Sequence, residues 1–230
     1  AKIPDPLARS LLWQALYEMV RDGKLAPTEY LEIADAHLAK ETESVILTAV
    51  LETIHGDADL AAVLSYLPRN SPWFAKIEDS FRERAMQALP GSDLQKAWFD
   101  AWIESSTGMK AAVEMMALVE GRSSIPGLEL DQDRRWNLLV RASAIGAKTN
   151  ALVKKELARD RSDLGRRSAL AAEAAAPSEA AKKQLIARLT SMPMADALVV
   201  IQHLFPQGQE EQQEKLLGDS YFASLGELAK

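Results

Sequence analysis

Ser92-Asp93-Leu94-Gln95-Lys96-Ala97-Trp98-Phe99-Asp100-Ala101-Trp102 is the stretch that decides the fold class. Asp93 opens it as an expected cap. Leu94, Ala97, Trp98, Ala101 and Trp102 then recur at intervals of three and four. That spacing returns side chains to one face of an α-helix at every turn, and a strand period of two does not fit it. Pro90-Gly91 punctuates the chain just before it.

Working outward, the same grammar repeats. Leu7, Leu11, Leu12, Ala15, Leu16 and Met19 form one apolar stripe, which predicts an inward-facing helix stopped near Gly23. A second helix is expected after Pro27-Thr28, with Leu31, Ala34 and Leu38 inside. A third is expected from Ser44 to about Tyr66, weakened or broken at Gly56. Pro72 suits the first turn of the next helix, which runs to Leu89. Downstream, Met109 to Val119 is a short helix ended by Gly121, and GRSSIPGLEL (121–130) is the strongest non-helical signal. Asp131 or Asp133 then starts a helix carrying Trp136, Leu139, Val140 and Ala144. Further breaks fall at Gly146, near Ser162, and at Pro177, Pro193 and Pro206-Gln207-Gly208.

Composition agrees. Of 230 residues, 37 are Ala and 31 are Leu, whereas Val, Ile and Thr together number 27; the balance of propensities favours helix. The fold class is therefore all-α. Acidic starts at Asp93, Asp133 and Asp163, with a weaker one at Asp196, space the helices as degenerate two-helix repeats. Stacked antiparallel pairs in an α-solenoid of the HEAT or armadillo kind are the expected architecture, with an irregular helical bundle as the alternative. A single helical-repeat domain spanning 1–230 is expected.

Several function classes are excluded. The absence of Cys removes disulfide frameworks, zinc ribbons, iron–sulfur sites and a cysteine nucleophile. The formal charge of −6 is the wrong sign for a dedicated nucleic-acid binder. No basic recognition helix suggests a helix-turn-helix regulator. The longest uncharged stretch, Ala197 to Gln209, is too short to span a bilayer, so no membrane partner is expected.

Chemistry-bearing patterns are equally scarce. His37, His55 and His203 stand alone, and no HExxH, GxSxG or phosphate-cradling glycine pattern occurs. No catalytic and no metal-ligating residue is assigned. Carboxylate pairs such as Asp57/Asp59 and Glu210-Glu211 suit solvated faces. Arg159, Arg161, Arg166 and Arg167, interleaved with Asp160 and Asp163, suit salt-bridged helix ends. Ser105-Ser106 and Ser123-Ser124 are expected to bond backbone groups at helix ends. Arg134-Arg135 differs. Two guanidinium groups in a helix's first turn oppose the macrodipole unless an anion is near. That anion is either Asp131 or Asp133, or the carboxylate of a peptide or partner, which makes Arg134 and Arg135 the candidate substrate-binding residues. Trp98, Trp102 and Trp136 are expected in the core rather than as peptide platforms.

The opening DPLARSLLWQALYEMVRDGKLAPTEYLEI (5–33) resembles the start of the C-terminal helical domain of bacterial zinc aminopeptidases of the aminopeptidase N family. The positions that carry the likeness are Ala8, Arg9, Leu11, Trp13, Met19, Arg21 and Asp22. GSDLQKAWFDAW (91–102), IPGLELDQDRRWNLLVRASAIG (125–146), RDRSDLGRRSALAAEAAAP (159–177) and FPQGQEEQQEKLLGDSYF (205–222) resemble later landmarks in the same order, so the likeness covers nearly the whole chain. It implies a HEAT-like domain excised from a larger enzyme, whose catalytic domain carries GxMEN and HExxH-x18-E and binds zinc. Neither motif is present here, so no catalytic or zinc-binding residue is carried over, and no cofactor is expected in this segment. The resemblance further implies a domain that covers the catalytic cleft and limits the access and length of peptides. Its partners would be the catalytic domain of the same polypeptide and peptide substrates. The opening AKIPDPLARS has no apolar signal segment and no Met, which suggests either a removed Met or a cut from a longer chain, and a cytoplasmic location. The rival from another class is a free-standing helical-repeat scaffold that binds a protein or peptide.

Overall fold

The structure, a computed structural model, describes residues 3–56, 62–68 and 70–218. Among these residues it is all-α: α1 (Pro6–Arg21), α2 (Pro27–His37), α3 (Ser44–His55), α4 (Trp73–Gln87), α5 (Asp93–Ser105), α6 (Met109–Glu120), α7 (Gln132–Ile145), α8 (Asn150–Arg159), α9 (Asp163–Ala175), α10 (Glu179–Arg188) and α11 (Met194–His203). A further helix, α12, begins at 210. Contacts divide the chain into two compact units. One comprises Ala1–Ser106 with Ser124–Glu129, and the other Thr107–Ser123 with Leu130–Lys230.

Helix starts follow the capping rule more closely than the acidic rule. Ser92 Oγ accepts from the Gln95 amide at 3.1 Å, and Ser162 Oγ from the Gly165 amide at 3.0 Å. Asp93 and Asp163 therefore stand one residue inside their helices, in the first turn, where a carboxylate complements the dipole. Asp131, not Asp133, caps α7, accepting from the Arg134 amide at 2.8 Å. The third helix ends at His55, because Gly56 turns at φ +89°, and Val63–Tyr66 is a separate 3₁₀ turn. The Asp57/Asp59 pair lies outside the described residues.

One sequence expectation is overturned in the first unit. All of the α1 stripe but Leu16 points outward: Leu7 is 66% exposed and Leu11 55%, with Leu12, Ala15 and Met19 exposed as well. The packed face is instead Trp13, Leu16, Tyr17 and Val20, with the Trp13 ring edge-on to Tyr30 at 5.9 Å. Both faces have helical spacing, so periodicity cannot choose between them. The core lies where α4 and α3 pack on α5. Leu47, Leu51, Phe81, Phe99 and Trp102 are buried there, with Phe81 against Trp98 at 5.3 Å. Trp98, Trp102 and, in the second unit, Trp136 are all core residues.

In the second unit α6 packs on α7, α7 on α9 and α9 on α11, while α8 and α10 connect them from the flank. This is the stacking of helix pairs expected of a solenoid. Ala171, Ala172, Ala174 and Ala175 are buried on α9 and let its neighbours approach closely. A small cluster of Leu185, Val200 and Leu204, with Ala174, closes the far end.

Candidate functional site

Arg134 and Arg135 sit on the first turn of α7, and each faces a carboxylate of this chain. Arg134 Nη1 donates to Asp131 Oδ2 at 2.6 Å, folding back on the cap. Arg135 reaches across to α8. Its Nε donates to Glu156 Oε1 at 2.9 Å and its Nη2 to Oε2 at 2.5 Å, a two-pronged pair with side chains only 14% and 3% exposed. The Arg135 hydrogen bond and charge hold the Glu156 carboxyl below its ordinary value despite burial.

Beside this pair sits a residue that charge patterning missed. Asp160, expected among the salt-bridged arginines, instead accepts with Oδ2 from the Trp136 indole at 2.9 Å and with Oδ1 from the Ser162 amide at 3.0 Å. The Ser162 and Trp136 hydrogen bonds lower its pKa. A buried indole N–H needs an acceptor, and an Asp two residues before a Ser can close an Asx turn; together these were the available signals. A Cβ on Gly165 would lie 2.4 Å from Asp160 Oδ2, so this glycine is required by its neighbour. Arg166 and Arg167 do form helix-end pairs. Arg166 bonds Asp163 at 2.8 Å and Asp196 at 2.8 Å, tying α9 to α11.

Two further side chains act as buried pins. Gln209 Nε2 donates to Ala144 O at 2.7 Å and Ala175 O at 2.8 Å, at the ends of α7 and α9. Lys182 is fully buried. Its Nζ donates to Ala174 O at 2.9 Å and to Leu204 O, and lies 5.1 Å from the centre of the Phe205 ring. The two pins thus satisfy terminal carbonyls of α7, α9 and α11 at one end of the stack. Burial pushes the Lys182 pKa down to about 8.

Over α9 lies a groove of about 700 Å³ lined by Ala169, Ala172, Ala176 and Ala181, with Lys154 and Arg188 among its charged residues. Arg134 and Arg135 do not line it. No group of three or more His, Asp or Glu gathers among the described residues, so these residues offer no donor set that fits a zinc ion.

The family model described as "ERAP1-like C-terminal domain" matches residues 1–223. The chain belongs to this family. It is also similar to a protein named Aminopeptidase N from Streptomyces lividans, 29% identical over 181 residues, which is 78% of this chain and 21% of that protein. The chain therefore spans about a fifth of the length of that relative. Membership of the ERAP1-like family and this likeness together identify a C-terminal domain of the aminopeptidase N family, as the resemblance in the sequence implied. No helix among the described residues is long and apolar enough to cross a membrane.

Proposed function

We propose that the chain is a single non-catalytic domain of a cytoplasmic zinc aminopeptidase that removes N-terminal residues from peptides. In this reading it covers the active-site cleft and restricts which peptides enter, and how long they are. The catalytic domain of the same polypeptide, outside this segment, holds the zinc and is the domain's first partner. The observation that carries the reading is the family match across residues 1–223, which spans both compact units. A helical stack supports it physically, since helix pairs present extended faces to a ligand. Enclosure would exclude water and bulky substrates from the reacting bond.

Within this reading Arg134 and Arg135 contact the carboxylate end of a peptide. Arg134 is the more exchangeable of the two: its partner Asp131 is half-exposed, so a substrate carboxylate competes for the guanidinium against solvent-screened charge. Arg135 would act mainly by holding α7 against α8 through Glu156.

The test compares this chain and its full-length reading frame on aminoacyl-anilides with zinc. An inert chain beside an active, chelator-sensitive full-length protein is the expected result. Zinc-dependent turnover by the chain alone would overturn it, and an inert full-length protein would favour a free-standing scaffold. In the active parent, Arg134→Gln is expected to raise KM for longer peptides about tenfold while leaving small anilides unchanged, the loss of about one charge-assisted contact. An equal effect on both substrates would remove Arg134 from the peptide site.

A further inference from the structure

In the first unit, a groove of about 620 Å³ runs between α3 and α5. Its apolar lining comes from Val45, Ala49, Leu51, Ala97 and Ala101, and Val45 is 80% exposed. Carboxylates stand on both helices: Glu52 on α3, and Asp93, Asp100 and Glu104 on α5. One cation, Lys96, lines it too, and it is already committed to Asp93 at 3.0 Å. Among the described residues no cation pairs with Glu52 or Glu104.

We propose that the α3–α5 groove docks a short peptide segment carrying Lys or Arg beside apolar side chains. The apolar part covers Val45 and the alanines, and the cations answer Glu52 and Glu104. Charge complementarity selects the occupant: an acidic segment would meet repulsion from both walls, and an uncharged one would leave Glu52 and Glu104 without a counter-charge. Covering apolar surface contributes in proportion to its area. Each exposed ion pair adds a little, and that part weakens with salt. This site is independent of the aminopeptidase reading, because it belongs to the chain itself.

The experiment titrates the chain, by fluorescence anisotropy, against a short capped peptide of Lys, Leu and Ala, and against its counterpart with Glu in place of Lys. The basic peptide is expected to bind and to weaken as salt rises, with amide-exchange protection confined to α3 and α5. Glu52→Gln with Glu104→Gln is expected to weaken binding about tenfold. Neither side chain has a hydrogen bond or ion pair among the described residues, so circular dichroism should stay unchanged. Glu32→Gln with Glu129→Gln alters net charge equally outside the groove and is expected to leave binding intact. Val45→Ser tests the apolar floor and should also weaken the complex. Equal loss in the two double variants, equal binding of the acidic peptide, or no binding at all would each overturn the proposal.

Discussion

Gly127 stands where only a glycine fits. Its φ is +77°, and a Cβ there would lie 2.3 Å from Pro90 Cβ and 2.8 Å from the Gly91 nitrogen. Next to it, Gln95 is buried and joins three segments: Oε1 accepts from Gly91 N at 2.7 Å, while Nε2 donates to Ala85 O at 3.1 Å and Pro126 O at 2.9 Å. Gly127→Ala must therefore move backbone as well as adopt a disfavoured φ, and is expected to destabilise by more than the roughly 1–2 kcal/mol that a left-handed residue alone costs. Gly23→Ala is the matched control, with φ +69° and open space around it. Urea unfolding of the two variants separates overlap from conformation, and equal losses would discard the overlap argument. The loop at 121–130 was legible from its Gly, Pro and Ser content, but the need for glycine at 127 was not. It arises from Pro90, and local sequence does not announce which turn a loop will lie against.

At the scale of elements, helix existence was legible and helix facing was not. Pro27, Gly121, Gly146, Pro177 and Pro193 all mark real boundaries, because stop signals act locally through φ and missing donors. The α1 stripe misled because α1 carries two faces of helical spacing, and the neighbours that choose between them are distant in sequence. The same distance hid the partner of Arg135. Two guanidinium groups in the first turn of α7 need an anion near them; Asp131 answers Arg134 from within reach of local sequence, but the Glu156 that answers Arg135 comes from the next helix. This pair gives a direct test of how α7 is held to α8. Glu156→Gln leaves a mostly buried guanidinium without its counter-charge, an expected loss of about 3 kcal/mol. Replacing both members by apolar residues, Arg135→Met with Glu156→Leu, is expected to be closer to neutral than either single change. Strict additivity of the two single losses would mean that the pair does not couple these helices.

For the whole molecule, pH reads the buried charges together. In the first unit, burial alone would raise the Glu41 carboxyl, yet Arg9, bonded at 2.9 Å to each of its oxygens, and the Glu43 and Thr42 amides bring it below its ordinary value. In the second unit Glu156 and Asp160 are lowered as well, and Asp196 is lowered by Arg166. A carboxyl depressed in the fold adds stability that is present above its unfolded pKa, about 4, and is lost as pH falls through the folded value. Acid unfolding should therefore begin below about pH 4, and Glu41→Gln should blunt that acid limb. Lys182 has the opposite consequence. Its pKa is lowered by burial to about 8, from 10.5. Between those values the unfolded chain binds the proton and the folded chain does not, so this group's contribution to stability rises with pH. The neutral amine keeps two N–H groups, enough for the carbonyls of Ala174 and Leu204. General charge repulsion in this acidic chain grows over the same range and acts against it, so the informative quantity is a difference. The melting temperature of the protein minus that of Lys182→Met is expected to increase from about pH 8 to about pH 10. A flat difference would show that the lysine stays charged in the fold, held so by the helix ends that it caps.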